Sequence, residues 1–221
     1  MSGMRSPTAV SALAVRARAR MVERLRQHGI RDEKVLAALN QVPRHLFVEE
    51  ALASRAYEDT ALPLGFQQTI SQPFIVARMC EILREGREMG RTLEVGAGCG
   101  YQAAVLSHLC SDVYAVERIR ALLDRARENL RQLRLPNVRL KHADGMVGLP
   151  EAAPFDTIIA AAAAPEGVPQ ALKAQLAPGG RALVPVGGRQ QALILVERQG
   201  NSFRETRLDA VRFVPLLAGT E

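Results

Sequence analysis

The chain has 221 residues, 48% of them hydrophobic and 24% charged, with a formal net charge of +6. That balance suits an ordinary globular chain with one sizeable core, and no apolar run is long enough to be read as a membrane-spanning helix. The positive excess is almost wholly arginine interleaved with acids, as in "RIRALLDRARENLRQLR", and only 4% of residues are aromatic, so it reads as solvated helix faces and not as a nucleic-acid track.

In chain order, residues 1 to about 15 are rich in Arg, Ser and Ala and read as a frayed extension. Helical spacing runs through 9–28 and 32–41, with Gly29 as the stop signal and Asp32 as the next start. Pro43 punctuates "VPRHLFVEEAL", and "AYEDTALPLG" is irregular. Residues 61–79, "ALPLGFQQTISQPFIVARM", are broken by polar residues, a Gly and a Pro, so neither a strand nor a helix period holds through their first two thirds. From Pro73 an amphipathic helix begins, with Ile75, Met79, Ile82 and Leu83 on one face.

The pattern then alternates. A strand at 92–96 precedes a helix at 100–110, a strand at 112–117 a helix at 119–134, and strands at 138–144 and 155–163 precede a helix at 166–176 and a strand at 181–187. Two extended segments joined by a Gly-Asn turn, with no helix between them, close the chain as a β-hairpin. The fold class is α/β: a doubly wound, Rossmann-like, seven-stranded sheet with an N-terminal helical cap and the C-terminal β-hairpin. The expected organisation is one domain over 1–221, with a cap over 1–60 and a cofactor-binding and catalytic core over 61–221.

"LEVGAGCGYQ" carries the chemistry. A buried strand ending in Gly96, Gly98 and Gly100 lets the backbone turn sharply and approach a ligand that side chains would fend off. Glu117 ends the next strand, 21 residues after Gly96, where a carboxylate can accept hydrogen bonds from a ribose diol. A dinucleotide fingerprint would put its third glycine at position 101, which is Tyr101; the GxGxG spacing favours S-adenosyl-L-methionine over a nicotinamide cofactor. Asp144 in "HADG" either receives an adenine amine or forms an Asp-Gly turn. Glu94 either neutralises the cofactor's amino group or packs at a strand end, and Asp156 is a loop-side acid. Three cysteines, odd in number and without a CxxC pair, make no disulfide framework and suit a reducing cytoplasm. The four histidines stand singly, without metal-ligand spacing.

Taken together, "ALPLGFQQTISQPFIVARM", "LEVGAGCGYQAA", "VYAVERI", "HADG", "PFDTIIAAAAAPEGVPQALKAQLAPGGRALVPVG" and "VRFVPL" resemble the protein-L-isoaspartate O-methyltransferase family over about Arg20 to Leu217. "TISQP" and "RFVPL" are its specific marks. The resemblance implies that the seven-stranded sheet is that of a class I methyltransferase, and that methyl transfer runs from S-adenosyl-L-methionine to the free α-carboxylate of L-isoaspartyl residues in damaged proteins, followed by collapse of the ester to a succinimide. It implies Ser71 as the catalytic serine, with Thr69 and Ile70 lining the methyl-transfer site. It further implies that Gly96, Gly98, Glu117, Asp144 and Gly145 hold the cofactor, beside Ile70 and Glu94, and that the backbone around Val214 clasps the peptide. The expected partners are isoaspartyl proteins and peptides, with no metal, nucleic acid or membrane, and the expected state is a monomer.

A carboxylate is already ionised at neutral pH, so the chemistry needs no general base. Small hydroxyls and backbone N–H groups can orient it without a cation that would quench its nucleophilicity. Ser71 can equally be a helix N-cap ahead of Pro73, and the two roles are compatible. The chain departs from the family pattern at Gln67, where a glycine is usual, at Ala161 and at Gly167-Val168. An RNA or small-molecule methyltransferase is the alternative, and a clustered basic face would mark the RNA form.

Overall fold

The structure is a computed structural model that describes residues 7–221, with side chains from residue 12. Residues 1–6, part of the expected frayed extension, lie outside the described residues. Residues 7–15, the remainder of that extension, are instead the first turns of α1 (Pro7–Gln27), where Ala12, Leu13 and Ala14 favour helix. Gly29, at φ +101°, ends it. Helix α2 (Glu33–Gln41) starts at Asp32, whose Oδ1 accepts from the N–H groups of Lys34 and Val35 at 2.9 and 3.2 Å. Two short 3₁₀ turns, Arg44–Phe47 and Glu50–Arg55, lead out of the cap.

The stretch without a period is ordered. It forms a hairpin of β1 (Leu62–Gly65) and β2 (Gln68–Ile70), joined at Phe66 and Gln67, which have φ of +51° and +56°. Strands of four and three residues are too short to display alternation, which explains the missing signal. Helix α3 (Pro73–Arg84) follows, and its N-cap is Gln72, not Ser71. Its first free N–H groups are served from a distance: Asp59 Oδ1 accepts from Phe74 N–H at 2.9 Å. The apolar face of α3 is centred on Val76, Met79, Cys80 and Leu83, and Ile75 is only half-buried.

The main sheet comprises β3 (Arg91–Val95), β4 (Asp112–Glu117), β5 (Val138–His142), β6 (Phe155–Ala160), β7 (Leu176–Val186), β8 (Gln191–Gln199) and β9 (Ser202–Val211), in the order β5-β4-β3-β6-β7-β8-β9. β3 through β7 run parallel, β8 is antiparallel to β7, and β9 is antiparallel to β8. Between them lie α4 (Tyr101–Leu106), α5 (Arg120–Leu133) and α6 (Gln170–Ala174). The central strands are buried on both faces, as parallel strands covered by helices must be. Leu106, Leu109, Leu122 and Leu130 pack with the cap and α3 on one face. Phe155, Leu172 and Leu176 fill the other.

α4 and α6 are shorter than the sequence spacing predicts. After α4 the chain tightens into three-residue turns through Leu109, and the Asn137 side chain donates to the carbonyls of Ser107 and Cys110 at 2.9 and 3.3 Å. Pro169 holds Val168 out of the helical region, so α6 begins only at Gln170.

A non-glycine residue in the left-handed region costs about 1 kcal/mol, partly offset by the chain entropy that a glycine adds on folding. Gln67 is exposed and its side chain packs against nothing that would compensate. Gln67→Gly is therefore expected to raise unfolding stability by roughly 0.5–1 kcal/mol. A urea midpoint that stays put or falls would show that the turn is not strained.

Candidate active site

From β3 the chain winds outward through β4 to β5, then returns to β6 on the other side of β3. No connection crosses the carboxyl ends of β3, β4 and β6, and a crevice opens there, as at the switch point of any doubly wound sheet. Its walls include Thr69, Ile70 and Ser71 from the hairpin, Glu94 through Gly98 from β3 and the glycine loop, and Glu117 and Ile119 past β4. Gly145, Ala161 and the segment Val214–Leu217 complete it.

The glycine loop is held in place by named bonds. Gly96 and Gly98 have φ of +88° and +54°. The N–H groups of Gly96 and Ala97 both donate to the Val116 carbonyl, at 2.9 and 3.0 Å. Glu117, only 6% exposed, accepts from Gly98 N–H through Oε2 at 2.8 Å and from Ile119 N–H through Oε1 at 2.9 Å. Each oxygen keeps a further lone pair, so the carboxylate can still accept from a ligand's hydroxyls. Asn129 of α5 donates to the Cys99 carbonyl at 2.9 Å from within the helix's buried stripe. The sequence reading passed over Asn129, although a lone Asn at an apolar-periodic position is a readable signal.

Glu94 is fully buried, and neither of its carboxyl oxygens has a hydrogen-bond partner among the described residues. Burial pushes it well above the usual carboxylate range, with the nearby Gln102 amide pulling the other way and the Glu117 charge adding to the push. A buried acid left like this at the wall of a cavity fits a ligand with a cationic group, such as the α-ammonium of an amino-acid moiety. Gly145 is small for a packing reason: a Cβ there would stand 2.6 Å from Val95 Cγ1 and 3.0 Å from Leu216 Cδ1.

Asp144 lies apart from these lining residues. Its Oδ1 accepts from Met146 N–H at 2.8 Å, the Asp-Gly turn, and its Oδ2 accepts from Gly219 N–H at 2.7 Å, which fastens the tail. Val214 lines the cavity and its carbonyl accepts from Ala163 N–H at 2.8 Å. Asp156 Oδ2 accepts from Arg91 N–H at 2.8 Å, at the opposite end of β3. His45 pairs with the Tyr57 hydroxyl at 2.7 Å inside the cap, and among the described residues no cluster of His, Cys, Asp or Glu could hold a metal.

Ser71 is half-buried and Thr69 exposed at the cavity mouth. Behind Ser71 stands a residue that the sequence reading missed. Arg44, 0% exposed, donates from Nη2 to the Ser71 carbonyl at 2.7 Å and from Nε to the Ala56 carbonyl at 2.8 Å. Its guanidinium lies 4.6 Å from the ring centroid of Tyr101, the first residue of α4. A cation thus stands near the serine, bonded to its carbonyl and not to its hydroxyl.

A family model described as "Protein-L-isoaspartate(D-aspartate) O-methyltransferase (PCMT)" matches residues 16–221. The chain is 75% identical over 209 residues to a protein-L-isoaspartate O-methyltransferase of Azoarcus sp. (strain BH72), covering 94% of this chain and 96% of that one. It is 67% identical over 207 residues to the enzyme of the same name from Dechloromonas aromatica (strain RCB), covering 93% and 95%. Among solved structures, a protein-L-isoaspartate O-methyltransferase superposes with a TM-score of 0.81 at 30% identity, over 90% of this chain and 65% of that one. A Plasmodium falciparum protein assigned to the same activity, solved in complex with S-adenosyl-L-homocysteine, superposes with a TM-score of 0.77 at 25% identity, over 90% and 98%.

The state of Glu94 has a measurable consequence. Its folded-state pKa lies above the unfolded value, so the fold binds this proton more tightly than the unfolded chain does. The stability linked to it is complete below the ordinary carboxylate range and is lost as pH rises through the folded pKa. Glu94→Gln removes that loss. In paired urea titrations at pH 5 and pH 8 the variant is expected to gain on the wild type at the higher pH; a difference independent of pH would mean that Glu94 is not held protonated by burial.

Proposed function

Because the chain belongs to the protein-L-isoaspartate O-methyltransferase family, we propose that its switch-point crevice methylates the free α-carboxylate of L-isoaspartyl residues, with Ser71 and Thr69 as the groups that orient that carboxylate. The observation that carries this reading is the seating of the Thr69–Ser71 hydroxyls and the Gly96–Gly98 loop around one cavity. The enzyme is an S-adenosyl-L-methionine-dependent methyltransferase, and that cofactor, when bound, supplies an electrophilic methyl group.

Each wall has a part in this. The Glu117 carboxylate, already aimed by Gly98 and Ile119, accepts from the ribose hydroxyls. Gly96 and Gly98 let the backbone lie close, and Gly145 keeps the opposite wall flat. Glu94 receives the cationic amino group, which answers its lack of partners. Ile70 and Ile119 contribute apolar surface and exclude water. Asp144 supports the cofactor wall through the tail it fastens.

On the substrate side, the hydroxyls of Ser71 and Thr69 donate to the carboxylate and hold one oxygen in line with the methyl carbon. Bound S-adenosyl-L-methionine would supply the methyl to that oxygen and keep the C–S electron pair on its sulfur; no proton would move, so Ser71 and Thr69 need only hold the carboxylate and no base is required. Ser71 forms no covalent intermediate. The backbone around Val214 holds the peptide by main-chain contacts, which accommodates many flanking sequences. This reading takes residues 1–221 as one domain acting as a monomer in the cytoplasm. Among the described residues no helix is long and apolar enough to cross a membrane.

Arginine clustering, the mark of an RNA substrate, is not what α5 displays. Arg120 and Arg127 pair with Asp124, and Arg131 pairs with Glu128.

The test uses two peptides that differ only in carrying L-isoaspartate or normal aspartate, incubated with methyl-labelled S-adenosyl-L-methionine. Base-labile label is expected on the isoaspartyl peptide alone. Ser71→Ala removes a hydrogen bond to a charged group, and a loss of about tenfold to hundredfold in kcat is expected, with S-adenosyl-L-homocysteine affinity unchanged. Cofactor binding without label on either peptide would refute the isoaspartyl assignment.

A further inference from the structure

Among the described residues two arginines are buried, and their surroundings differ in kind. Arg84, 8% exposed, meets Asp32 at 2.8 Å and Glu88 at 2.9 Å, so its charge is answered twice. Arg44, 0% exposed, has no ion pair with any carboxylate among the described residues. It has two carbonyls, of Ser71 and Ala56, and the face of Tyr101. Among the described residues neither its Nη1 nor the Tyr101 hydroxyl has a partner in good hydrogen-bond geometry, although the two groups adjoin and Tyr101 favours the charged guanidinium. The acid nearest in influence, Asp59, has its own carboxylate engaged by Phe74 N–H and the Gln72 side chain.

Burying a guanidinium without an anion is costly, and an arginine does not escape by losing its proton. Carbonyl dipoles and an aromatic face offset only part of that cost. A full positive charge therefore sits one carbonyl behind the serine at the mouth of the methyl-transfer site, between that serine and the first residue of the helix after the glycine loop. Water cannot screen it there, so it acts on the cavity at much higher strength than a surface arginine would.

We propose that Arg44 is a positioning residue of the methyl-transfer site: it fixes the Ser71 backbone, and the anion that balances its buried charge is the carboxylate of the bound substrate. The inference rests on the isoaspartyl reading above. The arrangement reconciles two demands. A carboxylate must be drawn out of water to react, yet a cation bonded directly to it would dull its oxygen as a nucleophile. A guanidinium held behind the Ser71 carbonyl attracts the anion without bonding to the attacking oxygen. It also links the cap to the cofactor side, because the same group lies over Tyr101, which lines the cavity.

The test measures charge recognition separately from folding. Wild type, Arg44→Gln and Arg44→Lys are each titrated with the isoaspartyl peptide and with the same peptide whose α-carboxylate is a carboxamide, in the presence of S-adenosyl-L-homocysteine. Wild type is expected to prefer the carboxylate by about tenfold or more, equivalent to about 1.4 kcal/mol. Arg44→Gln is expected to reduce that preference to within about twofold and to raise KM more than it lowers kcat, leaving S-adenosyl-L-homocysteine affinity within about twofold. Arg44→Lys places there an ammonium that burial can deprotonate, so it is expected to recover part of the preference at pH 6 and to lose it as pH rises, whereas wild type keeps its preference throughout.

If Arg44→Gln weakens both peptides and the cofactor in parallel while keeping the tenfold preference, the residue is structural only and the proposal fails. If Arg44→Gln does not fold, the pH profile of Arg44→Lys decides: a carboxylate preference that is present at pH 6 and falls by pH 9, where wild type keeps its own, supports the charge, and any other profile overturns it. If wild type itself does not distinguish the two peptides, the isoaspartyl reading falls first, and the role of Arg44 falls with it.

Discussion

The site depends on one carboxylate fixed before any ligand arrives. Glu117 ends β4 at the point where the strand order reverses about β3, and its two oxygens accept from Gly98 and Ile119. One bond sets the path of the glycine loop and the other sets the entry to α5. The loop needs both, since a backbone at positive φ three times within five residues has little intrinsic preference for a single shape. Val116 and Asn129 hold the rest of it, through Gly96, Ala97 and Cys99. A ligand's hydroxyls therefore meet an acceptor whose orientation has already been settled, and little ordering entropy remains to oppose binding.

Around this fixed point the buried charges divide into answered and unanswered. Arg84 has two carboxylates and Glu117 has two N–H groups. Glu94 and Arg44 lack such partners, and both belong to the crevice, one in its wall and one behind Ser71. They differ in kind: burial keeps the Glu94 carboxyl protonated until a cationic group arrives, whereas the Arg44 guanidinium keeps its charge. A cavity with an unpaired acid at the glycine loop and an unanswered cation behind the serine is asymmetric, and the asymmetry assigns its two ends. The cationic end of a cofactor suits the first and an anionic acceptor suits the second. Structural ion pairs bury charge in matched sets; charge left unmatched beside a cavity costs stability and is retained where a ligand completes it.

Much of this was legible in the sequence because it is local or periodic. The strand-helix alternation, the GxGxG turn and Glu117 at its interval each lie within a short window, and the Gly-Asn hairpin between β8 and β9 is a turn signal read directly. What escaped was set by contacts distant along the chain. The β1-β2 hairpin has strands too short for a period, and its neighbour in space is α5, where Arg125 donates to the Leu64 carbonyl at 3.2 Å. The N-cap of α3 shifted from Ser71 to Gln72 because Asp59, fifteen residues away, serves Phe74. Arg44 looks like any arginine in an arginine-rich chain until its burial is known. Gln67 stands where the family usually has glycine, and the backbone takes a positive φ there even with a side chain.

The segment after β9 ties the two halves of the site together. Ala163 donates to the Val214 carbonyl and accepts from Leu216, so the segment runs as an extra bridge beside the end of β6. Leu216 then packs over the place where Gly145 has no Cβ, and Gly219 is fastened to Asp144. Farther on, Glu221 exchanges backbone bonds with Arg118 and Arg120, immediately past Glu117. One short run of chain thus lines the crevice from Val214 to Leu217, closes over Gly145 at Leu216, and is anchored next to the carboxylate that orients the glycine loop. The wall beside the end of β6 and the wall beside Glu117 are, for this reason, built from one bonded segment.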